Sequence, residues 1–351
     1  MRRRNGVAVP RTRRLHRLTR ASFAALPHAL TTAAASATSA SQPFLAYGGQ
    51  ALVDGVLMRG PTHIGVALRT PEGEIATAHE PLPSSELRNK AVALPLARGM
   101  LVLWETLAIG ARWLMRSADV AAGDEEPATV SSRIAIVGML FATLLVAIIG
   151  FNVVPAVIAG ILTRSVGGTP LLVERALDGV LQVCVLLGYL ALVGRSGDID
   201  RTYRYHGAEH RAIHTLENEQ PLTRQNLARY PTAHPRCGTE FLVVVILVSI
   251  VFFSLVGRLD MIGTIISRII GIPLVAGIAY EVLRLLGRYR TNIVARALAA
   301  PGIAVQRITT RKPDDAMHDV AIVALTVALH ANGAAAPAGS ERPTSRSLGS
   351  L

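Results

Sequence analysis

The chain has 351 residues, half of them apolar, with 5% aromatic residues and a formal charge of +12. A mean hydropathy of +0.39 at that apolar fraction is the composition of a membrane protein. Two cysteines, Cys184 and Cys237, exclude a disulfide framework, and the lack of a P-loop, a Rossmann glycine fingerprint or a G-x-S-x-G elbow leaves nucleotide-binding and serine-hydrolase readings unsupported.

Residues 1–44 read as a basic, disordered cytoplasmic tail: Arg2, Arg3, Arg4, Arg11, Arg13, Arg14, Arg17 and Arg20 all precede the first acid, Asp54. Such a block can bind anionic lipid head groups. No specific nucleic acid is expected, because aromatic residues do not interleave with the arginines. The Ala/Ser/Thr-rich continuation to Ser41 also resembles a targeting segment, although Pro27 and His28 interrupt its apolar core.

Residues 45–132 are expected to form a small cytoplasmic or interfacial α+β segment. The glycine-punctuated stretch Gly48 to Pro61 is expected to make close turns. Ile64 to Thr70 and Glu74 to His79, around Pro71-Glu72-Gly73, read as a β-hairpin. Arg98 to Arg116 reads as an amphipathic helix on the membrane surface, with Arg98, Glu105 and Arg112 on its polar side. A short spanning helix is the alternative.

Residues 133–287 are read as the transmembrane domain. Ile134 to Thr163 carries no charge over thirty residues, more than the roughly 20 that cross the hydrocarbon, and Asn152 and Pro155 are expected to kink it or end it early. Ala176 to Val193 and Phe241 to Gly257 follow as spans. Met261 to Leu286 is the weakest, because Arg268, Glu281 and Arg284 leave only Ile269 to Tyr280 uncharged. The expected fold class is thus an α-helical polytopic membrane protein with about four transmembrane helices and the lipid bilayer as its partner. The connection 195–240 carries seven arginines, against Arg164 and Arg175 between the first two spans, which predicts that this loop and both termini face the cytosol of a multi-pass cell-membrane protein. In the cytoplasmic segment 288–330, Pro301 to Thr310 is expected to be extended and Asp314 to His330 helical. Residues 331–351, rich in Ala, Gly, Pro and Ser, are expected to be disordered.

The chemistry concentrates in the loop. His206-Gly207-Ala208-Glu209-His210 is an H-x-x-E-H pentapeptide, the inverted zincin order. On a helix the two imidazoles share a face and can hold one divalent metal, with Glu209 beside a water as general base. His214 and Glu217 extend the set, which spans an arc of roughly 140° at 3.6 residues per turn. His234 and Cys237, three apart, can complete a four-ligand N/S set with His206 and His210, suited to zinc. A closed set implies structural zinc and an open position implies catalysis. Glu281 offers a distant third ligand, or a local ion pair with Arg284. Cys184, in an apolar run, is expected in the core. The activity expected is metal-assisted hydrolysis, and the competing class is a membrane scaffold or assembly factor with a structural metal or none. A transporter ranks third, since Asp178 and Asn152 are sparse intramembrane polar groups.

Gly48 to Pro61, Tyr205 to His210 and His234 to Gly238, together with Pro273 to Glu281 and Thr309 to Asp315, occur in an order that resembles the YqhQ family of bacterial membrane proteins, a domain-of-unknown-function family. The resemblance runs from about Ala46 to Leu329. It implies a metal-dependent membrane protein and carries no substrate or reaction.

Overall fold

The computed structural model describes residues 47–83, 96–123, 138, 142–143, 145–167, 169–235, 237–289 and 292–348. The expected basic tail and the first residues of the expected first span lie outside the described residues. Five strands, β1 (Gly48–Leu52), β2 (Gly55–Arg59), β3 (His63–Arg69), β4 (Ile75–Pro81) and β5 (Arg346–Ser347), form one sheet in that order. The helices are α1 (Ala97–Ala122), α2 (Val154–Val166), α3 (Leu171–Val193), α4 (Gly197–Glu217), α5 (Arg224–Arg229), α6 (Thr239–Val256), α7 (Met261–Arg288), α8 (Ile293–Thr309) and α9 (Asp315–Ala331).

Strands β1 to β4 make an antiparallel meander and β5 joins β4 in parallel. The expected hairpin is β3–β4, with Arg69 opposite Ile75. The glycine-punctuated stretch is a second hairpin, β1–β2, whose turn holds Asp54 at φ 48°, a conformation that aspartate tolerates better than most residues. Alternation along β3 builds the layers. Ile64, Val66 and Leu68 pack with Leu52, Leu57 and with Ile109, Trp113 and Val120 of α1. Each large side chain buried there contributes roughly 1.5–3 kcal/mol. Gly65 takes the opposite face, where α9 crosses so closely that a Cβ would lie 2.3 Å from the backbone nitrogen of Ala328.

Helix α1 is amphipathic as expected, but its polar side meets the sheet. Glu105 pairs with Arg59 at 3.1 Å, Arg112 with Glu80 at 2.5 Å, and the Val53 N–H donates to Ser117 Oγ at 3.1 Å. Met100, Trp104, Leu107 and Leu114 are left exposed.

Leu145–Val166, Leu171–Val193 and Met261–Leu286 are long and apolar enough to cross a bilayer, while Glu240–Val256 is a shorter apolar helix. The described helices therefore supply three such candidates where the sequence predicts four. The expected weakest span qualifies on length and composition, and within it Arg268 is buried against Asp178 with its guanidinium 3.9 Å from the centre of the Phe253 ring. Asn152 and Pro155 do not end the first span: a π-helical turn, Ile149–Val153, feeds straight into α2 with the proline in its first turn. Cys184 is exposed on α3, outside the core.

Two expectations for the C-terminal segments are corrected. Residues 301–309 are helical within α8, not extended, because packing of Gly302 against Glu240 and the two hydrogen bonds between the Gln306 side chain and the His234 backbone outweigh the break that Pro301 signals. The tail after Ala331 is structured through Leu348: Glu341 N–H donates to the Leu222 carbonyl at 2.9 Å, β5 pairs with β4, and Leu348 packs on the sheet core. Helix α9 starts where expected, with Asp314 capping the Met317 N–H at 2.9 Å.

The polar segments that the sequence separates are joined. Arg201 pairs with Asp54 at 2.5 Å and Arg224 with Asp319 at 2.6 Å, the Arg311 N–H donates to the Tyr203 carbonyl at 2.9 Å, and Asn332 accepts from the Thr62 N–H at 2.8 Å. These contacts tie the sheet, α4, α5 and α9 together.

Candidate metal centre

Helix α4 is built to start and stop where it does. Asp198 and Asp200 lie in its first turn and His214 in its last, which suits the helix dipole at both ends. Its middle is crossed by the chain at Arg311, and a Cβ on Gly207 would lie 2.1 Å from the Arg311 carbonyl oxygen. The two free positions of the H-x-x-E-H pattern are therefore held by Gly207 and the fully buried Ala208.

This crossing orients the first two histidines. His206 donates from Nδ1 to the Thr309 carbonyl at 2.9 Å, and its Nε2 lies 3.2 Å from Cys237 Sγ. His210 donates from Nδ1 to the Thr232 carbonyl at 2.5 Å, and its Nε2 lies 3.4 Å from Glu209 Oε2. A ring nitrogen that donates to a carbonyl leaves its lone pair on the other nitrogen, so both rings offer Nε2. The His206 and His210 rings are 4.4 Å apart, and ligand atoms of His206, His210 and Cys237 all lie within 4.8 Å of one another.

The remaining expected ligands divide differently from the four-member set read in the sequence. His234 joins His214 and Glu217, again with ligand atoms within 4.8 Å of one another. His234 Nε2 is 3.3 Å from Glu217 Oε2, the His214 and His234 rings are 4.4 Å apart, and His214 donates from Nε2 to the Ala233 carbonyl at 2.9 Å. The Gln306 side chain clamps the His234 backbone on both sides, accepting from its N–H at 2.8 Å and donating to its carbonyl at 2.9 Å. Turn geometry separates His234 from Cys237: the two flank one bend and reach different parts of α4. Glu281, on α7, enters neither group.

Glu209 is buried, and burial pushes its carboxyl up to about 8; the Cys237 thiol pushes the same way, while His206 and the Gly49 N–H oppose the rise. His210 is pushed down to about 2, first by burial and then by His206, which keeps its imidazole neutral. A Cβ on Gly49 would lie 2.7 Å from Glu209 Cγ, so only glycine lets the β1 backbone reach this carboxylate. Gly48, Gly49, Glu209, His210, His234 and Cys237 border a cavity of about 30 Å³, room for a water or two. Spacing on α4 gives no sign of Gly49, Gln306 or the carbonyls of Thr232 and Thr309, which lie far from it in the chain.

The family model described as "Protein of unknown function (DUF1385)" matches residues 94–331, a span that includes α4, Cys237 and α9 but not β1 to β4. "Uncharacterized protein YqhQ" of Bacillus subtilis (strain 168) is 31% identical over 290 residues, covering 79% of this chain and 90% of that protein. No solved structure matches. On the length of the family match and the identity to that relative, the chain belongs to the DUF1385 family.

Proposed function

We propose that the chain is a metal-dependent hydrolase working at the membrane face, with His206, His210 and Cys237 as ligands of a zinc-type ion and Glu209 as general base. The observation that carries this reading is the three-ligand N/S group with its two imidazoles oriented from behind by carbonyls and a cavity at its edge. Structural zinc sites close with four protein ligands, whereas catalytic ones keep a position open. The donor set fits such an ion: two neutral nitrogens and one sulfur, with ring tautomers set by backbone acceptors. A metal held there supplies Lewis acidity to a substrate oxygen or a water. Glu209 stands against the His210 ring; burial favours its protonated form, and a cation held beside it would favour the carboxylate, which could then take the proton that the attacking water gives up. The cavity admits water but no substrate, so on this reading the scissile bond is presented from outside it.

Metal analysis of the purified protein tests the centre, with loss of metal expected in a His206→Ala/His210→Ala variant. Glu209→Gln keeps size and helix propensity, so it is expected to retain metal and fold while activity in a complementation assay drops by about 10²–10⁴. The scaffold reading draws on the small cavity. A fully functional Glu209→Gln protein that holds its metal establishes that reading instead.

The arginine asymmetry supports placing this layer in the cytosol. A cysteine at Gln220 in a Cys-free background is then expected to resist membrane-impermeant thiol reagents in intact cells, and ready labelling reverses the orientation. The basic tail, on this orientation, meets the anionic lipids of the inner leaflet.

A further inference from the structure

Helix α1 has two apolar faces, and the sheet covers one of them. Ile109, Trp113 and Val120 are buried in the sheet core. Met100, Trp104, Leu107, Leu114 and Ala118 are exposed and fall within an arc of roughly 80° at 3.6 residues per turn, with no charged residue among them. Glu105 and Arg112 lie between the two faces and are engaged by Arg59 and Glu80 of the sheet. We infer that the second apolar face is sunk into the acyl layer of the bilayer, so that α1 anchors the sheet to the lipid.

The crossing of α1 with α7 sets the level at which this face lies. A Cβ on Gly99 would lie 2.8 Å from Tyr280 Cδ1, and one on Gly277 would lie 3.4 Å from the Leu96 carbonyl oxygen and 3.5 Å from Met100 Cγ. Glycine on both helices lets the backbones approach, a contact that helices favour inside a bilayer. Gly277 stands nine positions before the Leu286 end of its candidate span, about 13 Å along the axis at 1.5 Å per residue. The first turns of α1 are therefore level with the hydrocarbon that α7 crosses. Ile270 and Leu274, two turns and one turn before Gly277 on nearly the same face of α7, are exposed as well, so the lipid-facing surface of α7 adjoins Met100 and Trp104. A tryptophan there suits the boundary between head groups and acyl chains. A soluble partner would have to displace lipid from α7 to reach the same face. The anchor also lies close to the candidate metal centre: a Cβ on Gly110 would lie 2.3 Å from Gln50 Oε1, and the neighbouring Gly49 reaches Glu209 from the other face of β1.

Trp104 and Trp113 are the only tryptophans, 71% and 1% exposed, so the chain carries its own probe and its own control. Fluorescence of the full-length protein in phosphatidylcholine vesicles with brominated acyl chains tests the assignment, because bromine quenches an indole that touches the chains. In Trp113→Phe, the remaining Trp104 emission is expected to be blue-shifted, to be largely lost in brominated vesicles and to withstand iodide in the water. Trp113, left alone in Trp104→Phe, is expected to respond to neither quencher. Where Trp113→Phe fails to fold, subtracting the Trp104→Phe spectrum from that of the wild type gives the same reading. Trp104 quenched by iodide and not by bromolipid places the face in water, and Trp104 quenched by neither places it under protein, a second copy of the chain included. Either result overturns the lipid assignment.

Discussion

Among the described residues, two buried polar clusters are satisfied by opposite means. Between the apolar helices, Glu174 pairs with Arg258 at 2.9 Å and with Arg175 at 3.5 Å, Asp178 pairs with Arg268, and Gln182 donates to Asp178 at 2.9 Å. Every acid there has an arginine beside it, so the cluster carries its own counter-charge. Along α4 the surroundings of Glu209 are imidazole, thiol and the Gly49 N–H, and its carboxyl rises to about 8. A cluster that supplies its own cations reads as architecture, and one that converges acceptors around a cavity reads as a place for a cation from outside.

The largest effect is expected from breaking the first cluster. Asp178→Ala leaves the Arg268 charge buried without its partner and should cost about 3–5 kcal/mol in thermal unfolding in detergent. The pair replaced together, Asp178→Leu with Arg268→Met, is expected to recover most of that loss, since apolar residues of similar volume satisfy the same space. A double variant as unstable as the single one would mean that the cluster does more than balance charge.

Metal removal sharpens the contrast from the other side. For an ion present at a hundredfold excess over its Kd, chelation removes about 2.7 kcal/mol of stability. Hydrogen exchange is expected to localise that loss to α4 and the bend 230–238, with α3 and α7 unmoved. Uniform loosening of both clusters breaks the distinction. Gly49→Ala comes next, at about 1–3 kcal/mol, because its methyl group must displace either Glu209 or the Leu57 carbonyl, each 2.7 Å away. Metal content is expected to persist in that variant while the position of the Glu209 carboxylate, and with it activity, is lost.

The smallest effect concerns a half-exposed pair, Asp200 with Arg311, for which solvent screens part of the gain. Hydrogen bonds from Arg311 first, and then Arg204, hold the Asp200 carboxyl below its ordinary value of 3.8, against the opposing effect of burial. A depressed acid contributes stability above its unfolded value, and that contribution is lost as pH falls through the lower folded one. Asp200→Asn is therefore expected to lower stability slightly near neutrality, to flatten the acid limb of the unfolding profile, and to make no difference at pH values below the folded one.

Local patterns made much of this readable from the sequence. The β3–β4 hairpin, α9 with its Asp314 cap, three long apolar helices and the histidine spacing on α4 all depend on residues within a few positions of one another. What escaped depends on partners far along the chain. The charged residues of Met261–Leu286 look costly until Asp178 is found opposite Arg268, ninety positions away. Pro301 looks like a break until Gln306 is seen clamped to His234. His234 and Cys237 look like ligands of one ion, since three residues separate them, and only the shape of their bend sends them to different groups.

The crossing of α9 over Gly65 has a consequence for biosynthesis. Strands β1 to β4 leave the ribosome before any of the long apolar helices, yet the helix that covers one face of them and the strand that extends their edge come last, with Asn332 bonding back to Thr62 across 270 positions. The nascent sheet must wait, half-covered, through the whole insertion of the membrane helices, a long-range closure of the kind that is slow and prone to misassembly. Thr309 and Gln306, which orient His206 and His234, also belong to that late portion. The groups that orient His206 and His234 are therefore in place only after the long apolar helices have been made.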